Sequence, residues 1–172
     1  GDNTCVVGVN GNFDDTQNGV KEILNDTQLA KELEKSNVLF SSANSINIGR
    51  LLPQVVYYFY SYYELLKRGE ITAGEKINFV VPTGNFGNIL AGYYASLLGL
   101  PVNKLICASN ANKVLTDFFK TGTYDRNREF YKTSSPSMDI LISSNLERLL
   151  YDVSGSDPKT VSQLMAELKD QG

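Results

Sequence analysis

The chain has 172 residues, 42% of them hydrophobic and 20% charged, with a formal net charge of −3. Those values fit one ordinary soluble globular domain or part of a larger protein and exclude wholesale disorder. There is no cationic stripe for a nucleic-acid groove, no apolar run near the roughly 18 residues that span a bilayer, and no histidine for Ser-His or Cys-His nucleophiles or for His-ligated metals.

The first apolar stretch, Thr4 to Val9, is short and β-branched and predicts a strand. Asp14 or Asp15 is placed to cap a helix running to about Leu24. Thr27 to Lys35 reads as a second helix, with Leu29 and Leu33 four residues apart, and Val38 to Phe40 as a short strand. A long helix is expected from about Ser45 to Lys67. Leu52, Val55, Val56, Phe59, Tyr63 and Leu66 fall at helical spacing on one apolar face. Pro53 should kink this helix or mark its true start nearer Leu52, and Gly69 should end it. The aromatic run Tyr57-Tyr58-Phe59-Tyr60 reads as buried packing between domains. The two cysteines, Cys5 and Cys107, lie in strand-like stretches and are expected to be buried thiols; their spacing supports neither a disulfide framework nor a zinc site, and no metal is expected.

Lys76 to Val81 predicts a strand, Pro82 to Asn88 a loop, Ile89 to Leu98 a helix rich in small residues, and Lys104 to Ala108 the next strand. This is a β-α-β unit, which builds parallel sheets with right-handed crossovers, so the fold class is α/β. Ala111 to Lys120 reads as a helix, Thr121 to Ser137 as a polar loop, and Leu146 to Tyr151 as a helix. Asp157 and Pro158 start a last helix whose stripe is Val161, Leu164, Met165 and Leu168.

The loop Pro82-Thr83-Gly84-Asn85-Phe86-Gly87-Asn88 carries the chemistry. It joins a strand to a helix, where backbone N–H groups lack partners and the helix dipole favours negative charge. Its glycines let the backbone approach a ligand, and a phosphate is the natural occupant. A nucleotide P-loop would end in Gly-Lys-Ser/Thr, and a dinucleotide fingerprint would read G-x-G-x-x-G with an acidic residue about 20 positions later. Neither is present. A plain turn with a glycine at the helix start remains the alternative on spacing alone.

The stretch Val81 to Asn88 resembles the cofactor-phosphate loop of the threonine synthase family, which binds pyridoxal 5′-phosphate (PLP) on a tryptophan-synthase-β-like fold. Related enzymes of that fold carry a glycine-richer loop, so Asn85-Phe86 points to threonine synthase in particular. Three further blocks agree in family order: Val9 to Gln17 (VNGNFDDTQ), Ser42 to Gln54 (SANSINIGRLLPQ) and Ser134 to Leu149 (SSPSMDILISSNLERL).

The resemblance implies a three-layer parallel sheet with flanking helices. Residues 1–41 would be the end of a smaller domain (strand, helix, strand) and 42–172 part of a large PLP-binding domain, both incomplete. It implies that Gly84, Asn85, Phe86, Gly87 and Asn88 cradle the cofactor phosphate. Asn44, Asn47 and Arg50 are possible substrate-facing residues. The alternatives for these are helix capping by Asn44, Ser45 and Asn47, and a surface or interdomain ion pair by Arg50.

The family's Schiff-base lysine belongs to an upstream Lys-Asp block that this sequence lacks; Lys120 has the wrong order and context. No catalytic residue is therefore assigned, and the chain is expected to be an interior fragment, inactive alone. Its parent would be a cytoplasmic PLP-dependent carbon-oxygen lyase converting O-phosphohomoserine and water to threonine and phosphate, with no nucleic-acid or membrane partner. A non-catalytic phosphate- or PLP-binding module, or another PLP lyase of the fold such as a serine/threonine dehydratase, is the alternative.

Overall fold

A computed structural model describes residues 2–45 and 47–172. The chain divides into two compact units, Gly1–Ser41 and Ser42–Gly172.

The first unit contains α1 (Phe13–Asn25) and α2 (Thr27–Glu34). The cap of α1 is Asn12, two or three residues earlier than the aspartates suggested. Its side chain accepts from Asp15 N at 3.0 Å, while Asp15 Oδ2 accepts from Asn12 N at 2.8 Å, a reciprocal capping box. Asp26 then ends α1 and caps α2 by accepting from the N–H groups of Gln28 and Leu29. The strands expected at Thr4–Val9 and Val38–Phe40 do not form. Among the described residues no neighbouring strand offers these segments a ladder, so their backbone groups gain nothing over hydration, and Val6, Val7 and Leu39 are exposed. Cys5, in the first of these segments, is likewise exposed rather than buried.

The second unit is built on β1 (Ile77–Pro82), α5 (Gly87–Leu97) and β2 (Val102–Ala108). The strands pair in parallel, with Val81 opposite Cys107 and Pro82 opposite Ala108. The fold is thus α/β, a parallel sheet with flanking helices. Gly99, at φ +96°, makes the turn out of α5 that sends the chain back into β2. Cys107 is half-buried rather than fully buried, and burial pushes its thiol up, favouring the protonated form.

The expected long helix is broken near Pro53, as proline chemistry requires. It appears as α3 (Ile48–Leu51), a 3₁₀ turn (Leu52–Gln54) and α4 (Val55–Lys67). Its start is Ile48, not Ser45, and Ile46 lies outside the described residues. The buried face also differs from expectation: Leu51, Val55, Tyr58 and Tyr62 are inside, while Leu52, Val56, Phe59 and Tyr63 are exposed. This helix is apolar nearly all round, so hydrophobic spacing alone cannot choose the face. Hydrogen bonding distinguishes the buried pair. The Tyr58 hydroxyl donates to Asn88 O at 2.6 Å, and the Tyr62 hydroxyl lies 3.1 Å from both Glu75 O and Gly74 N. Within the run 57–60 only Tyr58 is buried; Tyr57, Phe59 and Tyr60 face outward.

Beyond β2 lie α6 (Val114–Thr121), a long loop, α7 (Leu146–Val153) and α8 (Pro158–Gln171). The start of α6 is three residues later than expected, because Asn110 and Asn112 are engaged elsewhere. Asn112 exchanges two hydrogen bonds with the backbone of Tyr131, at 2.7 and 2.9 Å, and Arg128 pairs with Asp117 at 2.8 Å. Asp157 caps α8 as expected; Val161, Met165 and Leu168 are half-buried, but Leu164 is exposed.

Gly92 of α5 sets how close the layers come. A Cβ there would lie 2.6 Å from Tyr58 Cε1 and 3.0 Å from Leu105 Cδ2. The Tyr58 ring cannot swing away, since its hydroxyl is bonded and its edge packs on Phe79 at 5.0 Å. Gly92→Ala should therefore destabilise the chain. Overpacking costs about 1–3 kcal/mol, against about 1 kcal/mol gained in helix propensity. Urea unfolding checks this, and a variant at least as stable as the parent would contradict the packing described.

Candidate functional site

The loop from Pro82 to Asn88 leaves the sheet at the C-terminal end of β1 and enters α5. Its entry is locked: Thr83 N donates to Ala108 O at 2.8 Å, and the buried Thr83 hydroxyl donates to Val81 O at 2.7 Å. Its exit is Phe86, at φ +66° and ψ −2°, directly before helical Gly87. A bulky residue in the left-handed region costs about 1–3 kcal/mol, and the surroundings must hold it there. Burial of the Phe86 ring, with Phe119 at 6.0 Å between centroids, supplies that hold. A left-handed residue followed by a right-handed one turns successive N–H groups towards one side, a geometry suited to anions.

The donors of this loop are unused. Among the described residues, the backbone N–H groups of Gly84, Asn85, Phe86, Gly87 and Asn88 donate to no protein acceptor. Ile89 N is the first that is satisfied, by Asn88 Oδ1 at 2.9 Å, and Leu90 N begins the helical ladder on Phe86 O. Five consecutive open donors at the positive end of an 11-residue helix are the arrangement that suits an anion. The Asn88 side chain does not join it. Its Nδ2 donates back to Pro82 O at 2.7 Å, so it braces the loop instead. Asn85 Oδ1 lies 3.4 Å from the Ser144 hydroxyl.

Two of the loop's carbonyls, in contrast, are occupied by the segment before α7. Gly84 O accepts from the Ser143 hydroxyl, and Asn85 O accepts from both Asn145 N and Asn145 Nδ2. Gly84 also packs tightly on the same segment: a Cβ there would lie 3.1 Å from Ser137 O and 3.4 Å from Met138 Cα. Nothing in the sequence had marked Ser143 or Asn145 individually. Asn145 precedes α7 and would ordinarily be read as that helix's own cap.

Segment 136–139 is pinned in turn by Asp139. Its carboxylate, 5% exposed, accepts from Thr133 N and the Thr133 hydroxyl and from the side-chain amides of Asn110 and Asn112, at 2.7 to 3.1 Å. These donors, the Thr133 backbone N–H foremost, hold its carboxyl below the usual carboxylate range.

The residues expected to face substrate lie in the neighbouring segment, which reaches the loop at Ser45, 3.8 Å from where a Cβ on Gly87 would stand. Asn47 caps α3 by accepting from Gly49 N at 2.8 Å and donates to Ser42 O at 2.6 Å. Arg50 is exposed, and its Nη1 donates to Ala43 O at 2.7 Å. Asn44 is half-buried. Lys120 lies exposed in the last turn of α6. Among the described residues no group of acidic, cysteine or histidine side chains is arranged to hold a metal, and no helix is long and apolar enough to cross a membrane.

No family model matches the chain. It is 49% identical over 172 residues to a protein of Macaca fascicularis named "Threonine synthase-like 1", covering 99% of this chain and 23% of that protein. It is 43% identical over 180 residues to the threonine synthase of Saccharomyces cerevisiae, covering 99% and 34%. In structure it superposes on PLP-bound threonine synthase from Brucella melitensis with a TM-score of 0.78 and 45% identity, over 95% of this chain and 33% of that one. The chain matches a segment of the threonine synthases. It spans about a quarter to a third of the length of these relatives.

The Asp139 clamp has a pH signature. A depressed folded pKa contributes stability that is present above the ordinary carboxylate value of about 4 and is lost as pH falls through the folded value. Asp139→Asn should therefore be less stable than the parent at pH 7, and the gap should close on acidification. Urea midpoints of both proteins from pH 7 to about pH 3 test this; a gap that stays constant would contradict the assignment.

Proposed function

We propose that this chain supplies the part of a threonine synthase that holds the phosphate of pyridoxal 5′-phosphate. The whole enzyme would convert O-phosphohomoserine and water to threonine and phosphate. The observation that carries the reading is the row of five unpartnered N–H groups from Gly84 to Asn88. Support comes from the PLP-bound relative, 45% identical across nearly the whole chain.

The residues present fit a phosphate group. Five backbone donors meet an anion's need for hydrogen bonds without a cation, and the helix dipole adds to them. When bound, PLP supplies an electron sink for negative charge developing on substrate carbons. This chain's share is to fix one end of the cofactor: the phosphate is held by Gly84, Asn85, Phe86, Gly87 and Asn88, with Thr83 anchoring the loop to the sheet. Such positioning lowers the barrier by restricting motion before the reaction begins.

In this reading Asn44, Asn47 and Arg50 face the substrate. Asn47 shapes that segment through its two hydrogen bonds, and Arg50 offers its remaining guanidinium donors to a substrate anion. Residues 1–41 belong to the smaller domain and residues 42–172 to the large PLP-binding domain. No covalent anchor for the cofactor is assigned within the chain.

Titrating the labelled chain with PLP and following amide NMR shifts tests the reading. Saturable shifts centred on Gly84 to Asn88 are expected, with weaker shifts of the same amides in inorganic phosphate. Gly87→Val should abolish them while the fold persists, because its methyls would crowd Asn145, already 3.4 Å from the added Cβ. Shifts confined to scattered lysines, or none in the loop, would overturn the proposal.

A further inference from the structure

We infer that Ser143 and Asn145 are positioning residues that aim the phosphate cradle, acting on the ligand only through the loop backbone. This rests on the phosphate reading above but assigns a role that the loop's own residues do not reveal. A peptide unit is planar and trans, so its C=O and N–H point to opposite sides. The C=O of Gly84 shares a unit with the N–H of Asn85, and the C=O of Asn85 shares one with the N–H of Phe86. Ser143 Oγ donates to the first carbonyl. Asn145 donates to the second twice, from N at 3.1 Å and from Nδ2 at 3.0 Å. Both carbonyls are thus fastened inward, and the second and third N–H groups of the cradle, those of Asn85 and Phe86, are turned away from them. Hydrogen bonding at a carbonyl also polarises the peptide and strengthens its N–H as a donor.

The placement of Asn145 singles it out. It is the N-cap residue of α7, yet its side chain makes no capping hydrogen bond, and its backbone is near αR (φ −94°, ψ −2°) instead of extended. Asparagine before a helix ordinarily accepts from that helix's own free N–H groups. Here the amide is turned around. Arg148 Nη1 donates to Oδ1, which fixes which end is oxygen and leaves Nδ2 directed at Asn85 O. The residue is 1% exposed, so this arrangement is sealed from solvent. A residue that forgoes its own helix to hold two donors on a neighbouring loop carries a role beyond local structure.

Two measurements on the chain, as Ser143→Ala and Asn145→Ala, decide the matter. The first needs no ligand. Backbone ¹⁵N order parameters of Asn85 and Phe86 should fall from about 0.85 to below about 0.6, while those of β1 and of α5 beyond Ile89 stay unchanged. The second is affinity. The Kd for PLP should rise about tenfold in each variant. Inorganic phosphate, the part of the ligand that the loop contacts, should weaken by a similar factor. Loss of order confined to Asn85 and Phe86 together with weaker phosphate binding is a pattern that a merely structural residue would not produce. Unchanged order at Asn85 and Phe86, or an unchanged Kd for PLP, would overturn the inference. Failure of the parent chain to bind PLP would overturn the phosphate reading, and the order parameters would still judge the positioning claim. Should Asn145→Ala not fold, Ser143→Ala decides through Asn85.

Discussion

Five backbone N–H groups in a row, from Gly84 to Asn88, meet no acceptor in the described protein, and the rest of the second unit is arranged around that deficit. Buried or half-buried peptide donors are nearly always paired, and a helix start is where a protein can leave several open together. Keeping them open and aligned requires that the loop not collapse onto itself. Thr83 ties its entry to β2, the buried ring of Phe86 holds its exit in a left-handed conformation, and Ser143 and Asn145 occupy two of its carbonyls.

The support extends outward through polar contacts as much as apolar ones. Asp139 gathers Asn110, Asn112 and Thr133 and so fixes the segment that packs on Gly84. On the other side, Tyr58 stands between α5 and β1, its ring filling the space that Gly92 leaves and its hydroxyl held by Asn88 O. Burial pushes that hydroxyl up to about 12, which keeps it neutral and able to donate. The same short approach that makes the layers compact therefore also grips the first turn of the helix that presents the cradle.

Much of this was legible in the sequence where local chemistry decides local structure. The β-α-β unit followed from apolar runs separated by a small-residue helix, the break at Pro53 from the missing N–H, and the cap of α8 from Asp157-Pro158. The strand-loop-helix position of Pro82 to Asn88 was legible from the apolar runs on either side, while its glycine spacing alone left a plain turn as the alternative. The strands expected at Thr4–Val9 and Val38–Phe40 failed because a strand exists only with a partner, which β-propensity cannot supply. The buried face of α4 was misread because Tyr58 and Tyr62 bury only where acceptors for their hydroxyls exist, and those lie 30 and 13 residues away. Ser143 and Asn145 were invisible for the same reason: their partners are about 60 residues distant in sequence.

The likeness to the threonine synthases covers nearly all of this chain but only a quarter to a third of those proteins, and the proposed role of this chain rests on the open N–H groups of Gly84 to Asn88. A crystal structure of the chain grown with PLP tests it most directly. The account predicts phosphate oxygens within hydrogen-bond distance of the N–H groups of Gly84 to Asn88, with the Gly84 and Asn85 carbonyls still turned towards Ser143 and Asn145. PLP found elsewhere, or a loop rotated so that these N–H groups face the protein, would contradict it.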